Sequence, residues 1–413
     1  MIIILPSFSL ALLANGELVI NKLKTGSHVP AWSKTRLARR DLIRIWAATT
    51  NKKYDKVLAI VTYNGQVLCN AEPTGSKMYD ITHAVQVRLN TDAANIKNIH
   101  IGGSSVILWA GSSLCVVHSG TKHLHQSVLS CTLSAEIDLV SSNKYYCIIK
   151  TTDNRLFALS HTRWGGLCPR TGPPLTFDSK SELAFHDVKG ITEIYSKSTY
   201  SGCTLILLLM DDNSVYRCRY YGPNYHARVP FTQIQFPVSE VVAKVVSAGS
   251  YLVYVTGASD HYGIYIQRKL YENEQPTPVI GEGTLSPVID LNLVPNLGSY
   301  AIVNVLHCSS DSILVQYVVG TTYKMCIMRL PGYIDKSIRV VPMDFFDGIT
   351  IVSVTNQYKR TCFTADDGSV FWSYNIDAAV PTVTRDTFFD KNQLVAQKTT
   401  AHIRSTRSIL NEE

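Results

Sequence analysis

One unit recurs along almost the whole chain: an apolar strand, a tight polar turn, then a second strand with alternating or aromatic residues. Copies read SLALLANGELVINKL from Ser9, LAIVTYNGQVLCNA from Leu58, YCIIKTTDNRLFALS from Tyr146 and RTCFTADDGSVFWSYN from Arg360. The eight turns fall at Asn15-Gly16, Asn64-Gly65, Gly111-Ser112, Asp153-Asn154, Asp212-Asn213, Asp260-His261, Gly320-Thr321 and Asp367-Gly368, spaced by 49, 47, 42, 59, 48, 60 and 47 residues. Asn-Gly and Asp-Gly suit two-residue hairpins, whose central residues must both accept positive φ. A spacing of about 50 residues is the period of a four-stranded propeller blade. Such a unit exposes two sheet edges and becomes stable by packing on its neighbours in a closed ring. An open solenoid has shorter repeats, and two sandwiches would not repeat one hairpin eight times. The expected fold is therefore all-β: a single closed β-propeller of four-stranded blades over residues 1–377.

Composition agrees with strands covered on both faces. Of 413 residues, 46% are hydrophobic and only 17% charged, and the chain is rich in Tyr, Val, Ile and Thr. The ten cysteines stand singly, mostly inside apolar runs such as Leu114-Cys115-Val116, with no CxxC pair. They read as buried, reduced thiols rather than a disulfide framework. No Asn is followed at the second position by Ser or Thr, so no glycosylation acceptor occurs. The apolar start, Met1 to Leu13, lacks a basic region and a small-residue cleavage site and is interrupted by Pro6, so it reads as a strand rather than a signal peptide. No segment is long enough to predict a membrane span. These features point to an intracellular protein, cytoplasmic or nuclear.

The segment Thr152-Asp153-Asn154-Arg155-Leu156-Phe157-Ala158-Leu159-Ser160-His161-Thr162-Arg163-Trp164-Gly165-Gly166-Leu167 resembles the repeat of the regulator-of-chromosome-condensation (RCC1-like) family: a strand, an Asp-Gly-like turn, a strand ending in Trp-Gly, then a Gly-rich turn. Asp367-Gly368-Ser369-Val370-Phe371-Trp372 is similar to its first half, and Tyr220-Tyr221-Gly222 to its second. The likeness spreads over about residues 8–375, with the Trp-Gly glycine mostly missing, so it is that of a divergent member. It implies seven blades, with eight as the alternative because eight hairpins are present. With either count, closing a ring requires the termini to meet, so the strand near residues 8–20 is expected beside the last repeat. Some members of the family are guanine-nucleotide exchange factors; their exchange loop finds no residue-by-residue match here.

The departures from the repeat point to partners. Residues 22–56 carry ten Lys or Arg against Asp41 and Asp55, a local charge of +8, so the remaining residues sum to −1 against a total of +7. Lys34, Arg36, Arg39, Arg40, Arg44, Lys52 and Lys53 are the candidate contacts for an acidic partner: a histone, tubulin or small-GTPase surface, or nucleic acid. Clustered guanidinium groups suit bidentate pairing with carboxylate or phosphate. Trp32 and Trp46 flank this run and read as core residues. The two long spacings, Arg163 to Phe185 and Tyr271 to Pro287, read as loops outside the sheets, and residues 378–413 as an extended tail.

No motif for catalysis emerges. His118, His123 and His125 lack further ligands at metal spacing, and phosphate-loop, serine-elbow and zincin strings are missing, so no cofactor or metal is expected. Asp211-Asp212 and Asp366-Asp367 occupy repeat turns. The expected function is a non-catalytic protein-interaction platform in a cytoskeletal, chromatin-associated or ribonucleoprotein assembly. An exchange factor for a small GTPase and a funnel-based enzyme are the alternatives.

Overall fold

The computed structural model describes residues 2–394 apart from 5–7, 23–30, 35–42, 52–54, 63–64, 71–78, 92–94, 97, 103–104, 119–127, 144–145, 161–179, 199–203, 221–229, 236–240, 249–250, 259–260, 269–276, 281–300, 310–311, 320, 331–338, 358–359, 375, 377 and 379–380. Among the described residues there are eight four-stranded sheets, each an antiparallel meander of consecutive strands. They span 2–34, 43–80, 98–132, 137–182, 191–233, 241–280, 301–342 and 351–385. The eight hairpins of the sequence are the second and third strands of these eight sheets, one sheet more than the seven blades expected. The arrangement is all-β and propeller-like.

Two compact units divide the sheets. One holds Met1–Ala14, Val19–Ser33 and Ile234–Val395, and so the first, sixth, seventh and eighth sheets; the other holds Asn15–Leu18 and Lys34–Gln233, and so the second to fifth. Within each unit the first strands of successive sheets lie side by side. The core consists of side chains between neighbouring sheets. Ile107, Leu114, Val116 and Trp109 of the third sheet meet Val140, Ile149, Phe157 and Leu159 of the fourth. The other face of the fourth sheet, with Ile148, Leu156 and Ala158, meets Ile194, Ile206 and Leu208 of the fifth. Strand Tyr146–Thr151 is consequently buried at every position. An inner strand covered on both faces needs apolar residues in a run rather than in alternation.

A shared irregularity marks the first strands. Six of the eight carry a β-bulge near their start, at Arg44, Asp138, Thr192, Ala243, Val303 and Val352. A bulge bends its strand and increases the local twist, and repetition at one position is what a stack of equivalent sheets requires.

Three of the turns differ from the expected two-residue type. At Asp153-Asn154, Asp212-Asn213 and Asp367-Gly368 the loop has three residues, closed by Thr151 N–H to Arg155 O, Met210 N–H to Ser214 O and Ala365 N–H to Ser369 O. Only the last loop residue takes positive φ: Asn154 at 61°, Asn213 at 64° and Gly368 at 85°. This is a turn followed by one left-handed residue, a geometry that Asn and Gly tolerate. The pairs Ala110 with Ser113, Ala258 with His261 and Val319 with Thr322 each leave the expected two residues between the strands.

Two expected loops contribute strands. Lys180–Glu182, within 163–185, and Thr277–Ile280, within 271–287, are the outermost strands of the fourth and sixth sheets. Pro278 marks the second as an edge strand, where a missing N–H leaves no ladder bond unmade. The tail also begins later than residue 378. Thr382–Arg385 is the fourth strand of the eighth sheet, and a 3-10 turn, Thr387–Asp390, follows. Residues 395–413 lie outside the described residues. One helix was not anticipated, Thr82–Leu89, which buries Val85 and Leu89 with the preceding Ile81 and ends at left-handed Asn90. No helix among the described residues is long and apolar enough to cross a membrane.

The N-terminal sheet lies against the last. Thr355 Oγ1 donates to Ile2 O at 3.1 Å, Ala14 N–H to Gln393 O at 2.7 Å, and Leu13 bridges Leu394.

Candidate interaction surface

The basic segment runs from the end of the first sheet into the hairpin that opens the second. Strand Trp32–Lys34 ends the first sheet and strand Ile43–Asn51 begins the second. Lys34 is exposed, and its ammonium pairs with Glu17 Oε1 at 2.7 Å. That contact, with the Asn15 side chain second, holds the Glu17 carboxyl below the usual carboxylate range. Lys34 is thus already neutralised within the chain. Arg44 is the bulged residue of Ile43–Asn51; its side chain lies outside the description. Arg36, Arg39, Arg40, Lys52 and Lys53 are outside the described residues.

The strand between them nevertheless separates the candidates. The chain enters Ile43–Asn51 directly after the arginine run and leaves it directly before Lys52 and Lys53. Eight residue steps at about 3.3 Å amount to roughly 26 Å of extended strand. Along the sequence, Arg36, Arg39 and Arg40 precede this strand and Lys52 and Lys53 follow it.

The remaining titratable groups mostly serve the fold. Asp212 Oδ1 accepts from the Ser214 hydroxyl at 2.6 Å and its N–H at 2.8 Å, and these bonds hold its carboxyl below the usual range. Asp367 makes the same pair of bonds to Ser369, and Asn15 Oδ1 accepts from Glu17 N–H at 2.9 Å. These side chains close turns. Arg155 forms a two-pronged pair with Glu182, at 2.9 and 2.5 Å, over the ring of Phe157.

Buried polar groups join neighbouring sheets. The Lys150 ammonium, on a buried strand of the fourth sheet, reaches Ile191 O at 2.9 Å and Lys189 O at 3.4 Å of the fifth, and Asp138 Oδ2 at 3.1 Å. Gln316 holds the corresponding place in the seventh sheet, directly after the bulge, and donates to Ile349 O at 3.1 Å, before the eighth. Ser141 and Ser196 share a hydrogen bond of 3.0 Å.

Seven cysteines are described, all as free thiols and six of them buried. Burial pushes the thiols of Cys69, Cys115, Cys218 and Cys326 up to about 12, and those of Cys147 and Cys362 upward as well. Nucleophilic chemistry needs the opposite shift. Trp32 packs on Trp372, Phe388 and Phe389, the core role expected of it. Trp46 is on strand Ile43–Asn51, and its side chain lies outside the description. His118 ends strand Ser113–His118, while His123 and His125 fall outside the described residues. No group of three potential metal ligands occurs among the described residues.

No family model matches the chain, and no curated protein matches it. Solved structures do. A computationally designed protein, Ika8, is 10% identical over 90% of this chain and 95% of its own, with a TM-score of 0.48. Dihydro-heme d1 dehydrogenase NirN is 10% identical over 94% and 73%, with a TM-score of 0.49. Prp20p of Saccharomyces cerevisiae, a homologue of the regulator of chromosome condensation with described binding to Gsp1p and histones, is 12% identical over 68% and 77%, with a TM-score of 0.40. The all-β arrangement stands on the sheets themselves.

Proposed function

We propose that the eight sheets are the blades of one propeller and that the chain is a non-catalytic interaction platform whose basic segment holds an acidic protein partner. The charge distribution carries this reading: +8 in residues 22–56 against −1 in all the rest. Chance spreading of charge over a fold gives no reason for that concentration, whereas an anionic surface does. The arginine run is the favoured contact, with three arginines within five residues of sequence just before strand Ile43–Asn51. The turn aspartates and buried thiols are occupied by the fold, which favours binding over catalysis. Buried cysteines that stand singly in the sequence favour a reducing, intracellular compartment.

Native purification from cells in low salt, followed by a salt titration of the captured complex, tests the reading. An electrostatic contact of several charges weakens by about an order of magnitude or more between about 50 and 200 mM salt. A captured partner held unchanged through that range overturns it. Nucleotide release from a panel of small GTPases is the assay that would replace the platform with an exchange factor.

A further inference from the structure

The first and eighth sheets share no strand: residues 2–34 make one and 351–385 the other. The joint between them combines direct packing of Ile2, Ala11 and Val19 on Cys362, Val370 and Trp372 with contacts from the short segment after the last strand. Asp386 is 1% exposed and lies between two indoles, one from each sheet. Trp32 Nε1 and Trp372 Nε1 both donate to its Oδ2 at 2.9 Å, and Phe388 N–H donates to its Oδ1 at 3.1 Å. Its own N–H donates to Val370 O at 2.8 Å, which fixes it to the eighth sheet. Phe388 stacks on Trp32 with centroids 6.0 Å apart, and Phe389 meets the same ring edge-on at 5.2 Å. Gln393 and Leu394 then bond the backbone of Ala14 and Leu13.

We propose that residues 386–394 are a clasp that holds the N-terminal sheet on the C-terminal one, and that releasing it frees the first sheet alone as a local opening unit. The reasoning is chemical. A buried carboxylate takes charge-assisted hydrogen bonds, which are stronger than neutral ones. Here two come from opposite sides of the joint through one oxygen, so loss of that oxygen breaks both. Phe388 and Phe389, within the clasp, are rings packed on the same indole, so their burial depends on Trp32 staying in place. Elsewhere neighbouring sheets are joined by successive strands of the chain; this joint lacks that covalent connection. The freed unit ends at Lys34, just before Arg36, Arg39 and Arg40, so a partner pulling on that run would load the clasp; this coupling rests on the proposed function, while the clasp itself does not.

Hydrogen exchange on the full chain without any partner tests the clasp independently of that function. In Asp386→Ala, amides of strands Phe8–Leu12 and Leu18–Lys22 should exchange faster by about tenfold or more, while strands Tyr146–Thr151 and Thr204–Met210 keep native rates. Trp32→Phe keeps a ring but removes one donor, and should produce the same selective change, smaller in size. Added to Asp386→Ala, it should produce little more. Unchanged exchange in the first sheet, or equal acceleration in all sheets, overturns the proposal. If Asp386→Ala yields no folded protein, the Trp32→Phe pattern decides the matter by the same criteria.

Discussion

Removing the Lys150 ammonium should loosen the joint between the fourth and fifth sheets. Its side chain is 9% exposed, and its Nζ meets one good carbonyl acceptor at 2.9 Å, one long one at 3.4 Å and the Asp138 carboxylate at 3.1 Å. A charged hydrogen bond of the first kind contributes about 1.5–3 kcal/mol. The ion pair adds little, because Asp138 is 32% exposed and water replaces the lysine there. Lys150→Met keeps most of the stem and should therefore cost about 2–3 kcal/mol. Lys150→Ala also gives up buried methylenes at about 0.8 kcal/mol each and should cost about 4 kcal/mol or more. Urea midpoints for the two variants, with hydrogen exchange in Tyr146–Thr151 and Ile191–Ser198 as the local readout, measure both. The loss should persist in about 1 M NaCl, since it comes from a buried hydrogen bond to a carbonyl rather than from a solvated ion pair. A Lys150→Met protein within about 0.5 kcal/mol of the parent would refute the reasoning, because the ammonium bonds would then contribute nothing net.

Other outcomes follow from the same structure. Arg36, Arg39 and Arg40 changed together to Glu should weaken partner binding and leave thermal stability within about 0.5 kcal/mol per site; a protein that unfolds, or one that binds with unchanged salt dependence, counts against the contact. In Gly190→Ala the new methyl would meet Asp187 Oδ2 at 2.6 Å. Asp187 would have to give up its bond to Gly190 N–H, so a loss of about 1 kcal/mol is expected in urea melts, and Asp187→Ser should relieve the clash. The buried thiols set an alkaline limit. Their folded pKa of about 12 lies above the ordinary 9.0, so their stabilising effect is complete below pH 9 and is lost as pH rises from there towards 12. Denaturation midpoints that hold constant from pH 8 to beyond 10 would contradict that burial. Alkylation under denaturing, non-reducing conditions should modify all ten cysteines, and a mass showing eight or fewer would reveal disulfides.

How much could be read in the chain beforehand varied with how local the cause was. Strand pairs such as Tyr146–Thr151 with Leu156–Ser160 were legible because a run of apolar residues, a turn residue able to take positive φ and a second run lie within about fifteen positions of each other. The outer strands Lys180–Glu182 and Thr277–Ile280 were not, because short edge strands take their partner's hydrogen bonds without an apolar pattern of their own, and prolines disguised both stretches as loops. The clasp was equally hidden: Asp386 and Trp32 are 354 residues apart, and nothing local distinguishes a buried carboxylate from a solvated one.

The sequence by itself determined the class of fold, the number of repeated hairpins and the concentration of positive charge, because each depends on residue types and spacing along the chain. Tertiary structure decided which polar residues are occupied and where charges stand. Lys150 and Asp386 are buried because neighbouring sheets cover them and supply their partners. The basic segment reads as a run of charge, and only the structure shows that its residues 43–51 form an extended strand. Proximity in sequence fixes distance only within a turn; across a strand, the rise per residue carries like charges apart.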